Sequence, residues 1–340
     1  MNIAYLYSNT FGDHFSNHFE EFVKGLRLSG IDSFQCPPEI NYKTVKNYDI
    51  IFFDTYHMHH KNIGYIPRIT DKKVFNLKLG IITMDFWWDL THHKMKKWLE
   101  ENRVNDFIIF RHSSGLQFFE RKFELFIDAL RDRKEYKSSS FLEPKEICTN
   151  FENVLLTSFT INKDIMKQSD TVEKEYDICF GARQFRWYPI REKISNAIIK
   201  SKKFKCIDPE WKSPGTVIKN RRNDFTDYYD AISKSWLTLA TTGIANISAR
   251  KYFEICGLGS TCLGNHTNLP DHDIVKQNVI EVDVKMSEKQ IVRLVEDVLN
   301  NKKKLQSMSE SVKQKIRDMY DYREVGRKLK EDLEKVYGGK

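Results

Sequence analysis

The stretch ISARKYFEICGLGSTCLGN, from Ile247 to Asn265, carries three structural signals in order: a helix, a glycine turn and a buried strand. Ser248 is an N-cap type of residue, whose side-chain oxygen accepts from the free N–H groups of a first helical turn. Tyr252, Phe253 and Ile255 give the helix an apolar surface, and Gly257 or Gly259 ends it in a left-handed cap. Ser260 to Leu263 is short and mostly apolar, as a buried parallel strand is. Two charges stand out in this apolar run. Arg250 and Glu254 are four residues apart and share one helix face. A helix N-terminus offers unpaired N–H groups and about half a positive charge to a phosphate, and arginine adds a planar fork of donors. The plainer alternative is an intrahelical ion pair worth about 0.2–0.5 kcal/mol.

The chain on either side repeats the strand–helix alternation. Upstream, YDICFGAR (176–183) reads as a strand running into a turn, and RWYPIREKISNAIIK as a helix with Pro189 near its start. FKCI (204–207), WLTLA (236–240) and VIEVDV (279–284) read as strands, with a helix over 224–235. Ser287 with Gln290 forms a capping-box signature for a helix whose Ile291, Leu294, Val295, Val298 and Leu299 share a face. Two further basic helices end the chain. In the first half, NIAYLYS (2–8), YDIIFFD (48–54), LGIITMD (79–85) and NDFIIF (105–110) are strand-like. Phe19, Phe22, Val23 and Leu26 mark a helix closed by Gly30, and 86–100 and 114–132 are helical in pattern. NVLLTSFTI (153–161) reads as the last strand of the first half, and 162–175 as a linker. Alternation of this kind implies parallel sheets covered on both faces. The expected fold class is α/β, with two tandem Rossmann-like domains over 1–165 and 176–320. Residues 321–340 form a C-terminal helix that packs back on the first domain.

Composition bounds the function. The chain of 340 residues suits two domains at about 100–200 residues each. Its longest apolar runs, such as FIIF (107–110), are strand-sized, and mean hydropathy is −0.55. The start MNIAYLYSN lacks the basic and apolar regions of a signal peptide, so the expected location is cytoplasmic, or peripheral at the inner membrane face. Six cysteines without a CxxC read as reduced core thiols. Net charge is +8, and much of the excess lies in the last forty residues. Such a tail suits an anionic membrane surface or DNA, or is a pair of solvated helices with i,i+4 ion pairs. Neither half carries GxGxxG after its first strand, and GxxxxGK[ST] and GxSxG are absent. A dinucleotide dehydrogenase, P-loop phosphoryl transfer and an α/β-hydrolase are therefore excluded.

The Arg-aromatic-Glu helix, small-residue turn and apolar strand resemble the C-terminal half of GT-B glycosyltransferases, and most closely the family 1-type and spore-maturation (CgeB-like) group. The resemblance covers most of 176–335 and only loosely the first half. It implies a nucleotide-sugar, UDP- or GDP-linked, bound by the second domain across a cleft from an acceptor-binding first domain. Arg183 and Arg186, in GARQFRWYPIRE, and Arg250 would then face the diphosphate, and Glu254 the ribose or sugar hydroxyls. Thr242 and Gly243, in TTGIANIS, would bring backbone N–H groups to phosphate, or form a structural turn. Arg191 lies deeper in its helix and is assigned to the surface. Fixed cations would stabilise the leaving diphosphate without a metal. Retaining members often carry a second Glu eight residues after the first. Here that position is Cys262, with Asp271 or Asp273 as substitutes for ribose recognition.

An inverting transferase needs a base for the acceptor hydroxyl. Asp85 and Asp89 in MDFWWDL, His57 in DTYHMHHKN and His14 in GDHF are the candidates, although Asp85 also suits a helix cap. His57 with His59, or His57 with His60, invites a metal reading, but no nearby third ligand has convincing spacing, so a strand-end loop is favoured. The acceptor is a surface glycan, a lipid-linked glycan or a modified DNA base. The rival readings are a non-catalytic nucleotide or nucleic-acid binder on the same scaffold, and a nucleotide-sugar epimerase.

Overall fold

The structure, a computed structural model, describes residues 1–7, 16–54, 67–83, 93–110, 151–181, 188–209, 227–242, 250–266 and 273–339. The chain divides into two compact units, Met1–Ser158 with Tyr322–Lys340, and Phe159–Asp321.

The first unit is built on six parallel strands: β1 (Ile3–Tyr7), β2 (Asp32–Gln35), β3 (Ile50–Asp54), β4 (Lys78–Thr83), β5 (Phe107–Phe110) and β6 (Asn153–Leu156). Their spatial order is β2-β1-β3-β4-β5-β6. The central strands are continuously apolar because both faces are covered, and IIFFD of β3 is buried at every position. On one face, Phe19, Phe22, Val23 and Leu26 of α1 (Ser16–Leu28) pack on Ile3, Tyr5, Ile50 and Phe52. On another side Trp98 of α2 (His93–Glu101) meets the Phe53 ring edge-on at 5.3 Å and donates to the Pro67 carbonyl at 2.6 Å. The strand read at 153–161 is confined to Asn153–Leu156.

The C-terminal helix (Tyr322–Tyr337) belongs to this unit and lies on α1, adding Val325, Leu329 and Leu333 to the same core. The two helices meet at glycines. A Cβ on Gly25 would run into the Tyr322 carbonyl, and one on Gly326 into the Gly25 carbonyl. Backbones this close leave no room for a methyl group.

The second unit repeats the plan with β7 (Tyr176–Cys179), β8 (Cys206–Ile207), β9 (Ser235–Ala240), β10 (Thr261–Gly264) and β11 (Val279–Glu281), all parallel, in the order β8-β7-β9-β10-β11. Its helices are α3 (Pro189–Ser201), α4 (Asp227–Ser233), α5 (Lys251–Gly257), α6 (Glu288–Leu299) and α7 (Lys302–Met319). Ile194, Ile198, Ile291 and Val295 of α3 and α6 join one core with Ile178, Leu237 and Leu263. Tyr252, Phe253 and Ile255 of α5 join a second with Val312 and Ile316 of α7. Both units thus place their first and third strands side by side, with the second strand beyond the first, a doubly wound plan.

Local signals read in the sequence appear as read. Pro189 opens α3, and Ser287 and Gln290 form a complete capping box on α6. Residues 162–175 differ from a linker. Lys163–Met166 is a helical turn whose Met166 is fully buried, followed by a 3-10 turn over Lys167–Thr171. Arg317 of α7 explains this order. Its guanidinium, 2% exposed, donates to the carbonyls of Met166 and Gly257 (2.7 Å each) and to Ser169 Oγ (3.0 Å), and pairs with Asp170 at 2.9 Å. Among the described residues no helix is long and apolar enough to cross a membrane.

The glycine crossing yields a stability prediction. Alanine favours a helix over glycine by about 1 kcal/mol, yet Gly326→Ala is expected to destabilise the protein by about 1–3 kcal/mol because the methyl group overpacks the crossing. Urea denaturation measures this, and a gain in stability would show that the two helices can separate freely.

Candidate functional site

The second unit reverses its winding between β7 and β9, and ligands of doubly wound sheets bind outside the carboxyl ends of the strands at such a point. Gly181 follows β7 there, in the left-handed region at φ +35°. Thr241 and Thr242 follow β9 and are buried.

These two threonines are held from different sides. Arg191, in the first turn of α3, donates from Nε to Thr241 Oγ1 (3.1 Å) and from Nη2 to its carbonyl (3.4 Å). Its guanidinium lies 3.8 Å over the Tyr188 ring. Arg191 is only 6% exposed, so the surface role expected of it is corrected: the stack and the two bonds compensate burial of its charge. Thr242 and Asn265 bond reciprocally. The Thr242 amide donates to Oδ1 at 3.0 Å, and Nδ2 donates to Thr242 Oγ1 at 2.6 Å. The loops leaving β9 and β10 are therefore joined.

Helix α5 begins beside them. At its amino end the Lys251 ammonium donates to the Gly181 carbonyl and lies 5.4 Å from the Tyr228 ring. The Tyr252 hydroxyl donates to the Asn265 carbonyl. At its carboxyl end the amide of Gly259, at φ +73°, donates to Cys256 and that of Ser260 to Ile255, both at 3.1 Å. This is a Schellman turn, and Gly259 rather than Gly257 supplies the left-handed residue.

Arg250 and Glu254 form an ion pair with Nε to Oε1 at 3.3 Å and are 7% and 5% exposed. Two tyrosines of α4 complete the cluster. Tyr229 donates to Glu254 Oε1 at 3.0 Å and Tyr228 to Oε2 at 3.2 Å, while Arg250 Nη2 donates to the Tyr229 hydroxyl at 3.4 Å. Burial lowers the Arg250 pKa to about 10 against the opposing pull of Glu254, so it stays charged at neutral pH. A carboxylate accepts about four hydrogen bonds. Among the described residues two hydroxyls donate to Glu254 and one guanidinium pairs with it.

Lys174 fastens both helices. Its ammonium donates to the carbonyls of Ser233 (2.7 Å), Ser235 (3.0 Å) and Gly259 (2.7 Å), at the ends of α4 and α5. Tyr228, Tyr229, Asn265, Lys251 and Lys174 were not singled out by the sequence. The tyrosines fall in the segment read only as a helix, and Lys174 in the segment read as a linker.

Of the expected donor-side residues, Thr242, Arg250 and Glu254 gather at this edge. Arg183, Arg186, Gly243, Ser248 and Asp271 lie outside the described residues. Asp273 pairs with Lys276 at 2.9 Å and is exposed. In the first unit His14, His57, Asp85 and Asp89 also lie outside the described residues, on segments that follow β1, β3 and β4. Those strands are neighbours. At their carboxyl ends Asp54 is 3% exposed and Thr83 2%. Among the described residues no group of three potential metal ligands occurs.

No protein-family model matches the chain. No curated protein matches it in sequence. Solved structures do match in fold. A glycosyltransferase from Rickettsia africae ESF-5 superposes with a TM-score of 0.60 at 10% identity, covering 100% of both chains. Sucrose-phosphate synthase from Thermosynechococcus elongatus gives 0.57 at 8%, again over 100% of both. HepE from Anabaena, in complex with UDP-glucose, gives 0.54 at 11%, over 98% of this chain and 100% of that one. The fold is that of the GT-B glycosyltransferases.

Lys174 supplies a pH prediction. Burial first, and then Lys313, lower its pKa to about 7, with Glu310 opposing. Unfolded lysine titrates near 10.4. Between these values the unfolded chain holds more protons, so this group's contribution to stability rises with pH and is complete above the unfolded value. The stability difference between wild type and Lys174→Met is expected to shift toward wild type from pH 7 to pH 8.5, by up to about 1.4 kcal/mol per pH unit. Equal curves for the two proteins, measured by urea denaturation, would contradict it.

Proposed function

We propose that the chain is a glycosyltransferase that moves a sugar from a nucleotide-sugar, a UDP-sugar in the first place, to a hydroxyl acceptor. The supporting observation is the Arg250–Glu254 pair on α5, set at the carboxyl edge of β9 with two tyrosine hydroxyls on its carboxylate. The fold is consistent with it, and the HepE neighbour was solved with UDP-glucose.

In this reading Arg183, Arg186 and Arg250 hold the diphosphate, and the backbone at Thr242 and Gly243 adds N–H donors. Glu254 accepts from a ribose or sugar hydroxyl, with Tyr228 and Tyr229 fixing the carboxylate. Charge that develops on the leaving diphosphate meets cations already in place, so no reorganisation is needed at the moment of transfer. The reaction is of hexosyltransferase type and metal-independent, as in the CgeB-like group that the helix–turn–strand segment resembles. One of Asp85, Asp89, His57 and His14 takes the acceptor proton if the reaction inverts.

The competing reading is a nucleotide binder without turnover, favoured by Cys262 at the position of the second glutamate. UDP at about 100 times its dissociation constant stabilises a binder by about 2.7 kcal/mol. That raises the unfolding midpoint by several degrees, at about 2–4 °C per kcal/mol for 150–250 residues. The expected result is a rise with UDP that Glu254→Gln reduces, together with loss of sugar transfer from UDP-glucose. A UDP shift without turnover of any nucleotide-sugar favours the binder. No shift with any nucleoside diphosphate would falsify both.

A further inference from the structure

We propose that the second unit carries a lysine surface at the amino-terminal end of its sheet that docks on anionic phospholipid. The proposal is independent of the transfer reaction.

The positive charge of the carboxyl-terminal region is unevenly compensated. The C-terminal helix holds five basic and four acidic residues. Arg327 pairs there with Glu324 and Glu331, and Lys330 with Glu334. On α7, Arg317 is buried and Lys313 is paired with Asp170 at 2.6 Å. The excess on α7 is concentrated at Lys302, Lys303 and Lys304, consecutive and exposed in its first turn. That turn contains no acidic residue. Cations at a helix amino terminus oppose its dipole, so helix stability does not explain them.

A second lysine cluster comes to the same place. Lys202, Lys203 and Lys205 lead into β8 and are exposed, and of these Lys203 pairs with Glu296 of α6 at 2.6 Å. Lys202 takes the left-handed conformation, φ +54°, at the end of α3, where glycine is the favoured residue. Asp177 connects the clusters. Its carboxylate accepts from the Lys205 amide at 3.0 Å and lies 3.9 Å from the Lys302 ammonium. The ammonium of Lys205 covers the Tyr176 ring at 4.9 Å, and that of Lys302 covers Trp236 at 5.5 Å. Tyr176 and Trp236 lie at the amino ends of adjacent strands β7 and β9, so the six lysines share one end of the sheet.

Lipid fits this surface better than nucleic acid. Its cations are all lysine, compact and strongly hydrated, with no arginine fork for base edges. Its aromatic rings are capped by ammonium groups rather than open to stacking bases. Clusters of about 4–8 basic residues suffice for anionic headgroups.

The test is cosedimentation of the full chain with vesicles of phosphatidylcholine containing one-third phosphatidylglycerol. Binding is expected at low salt, absent from pure phosphatidylcholine, and lost at about 0.5 M salt, where charges are screened over a few ångströms. Lys202→Glu/Lys303→Glu/Lys304→Glu should weaken it at least about tenfold, while Lys328→Glu/Lys335→Glu on the C-terminal helix leaves it unchanged. These positions are exposed, and an unchanged thermal midpoint verifies folding. The proposal is overturned by no binding at low salt or equal loss in both variants. It is also overturned if duplex DNA displaces the vesicles through the same three lysines.

Discussion

Burial of the Arg250 charge is the constraint around which the second unit is arranged. A guanidinium removed from water is strongly disfavoured unless a partner is fixed beside it. Glu254 is that partner, one turn along a helix of seven residues. So short a helix has little stability of its own. It is held by its surroundings: Lys251 to Gly181 and Tyr252 to Asn265 at one end, Arg317 to Gly257 and Lys174 to Gly259 at the other. Each tether satisfies a backbone carbonyl that would otherwise be left over at a helix end or loop. The ion pair therefore sits on a support that fixes its position along the sheet.

Rigidity of this kind matters for chemistry that works by placement. On the proposed reading, rate is gained from donors and cations that already stand where charge develops. The two tyrosine hydroxyls fix the plane of the Glu254 carboxylate, and Arg191 fixes Thr241 at the entrance to the loop before α5. Both units share one winding plan, so the same argument applies to the first. Segments carrying His14, His57 and the Asp85–Asp89 pair leave the carboxyl ends of three adjacent strands.

Periodicity and local chemistry made the fold readable. The apolar runs of β3, β5 and β9 have no other explanation, and the capping box at Ser287 depends on residues three apart. What escaped was long-range. Arg191 looks like a surface residue because its partner Thr241 lies fifty residues away. Lys174 and Met166 sit in a polar stretch whose order comes from Arg317, about 150 residues later. Tyr228 and Tyr229 were not singled out because an aromatic pair in a helix gives no sign that its hydroxyls meet a carboxylate 26 and 25 residues away. Arg250 and Glu254 were found because two charges in an apolar segment need a reason, wherever their partners are.

The position of Cys262 bears on how a donor would be recognised. It lies in β10, is fully buried, and its thiol meets Cys256 in the core between sheet and α5. Burial holds its pKa well above the ordinary thiol value, so it stays protonated and inert at neutral pH. A carboxylate in the same packing would lose its hydration without an assigned cation, an arrangement a folded core disfavours. Among the described residues no second acidic group stands beside Glu254 at this point of the sheet. On the proposed reading, hydroxyl recognition in this unit then falls to Glu254, and Tyr228 and Tyr229, which orient its carboxylate, bear on which hydroxyl it accepts.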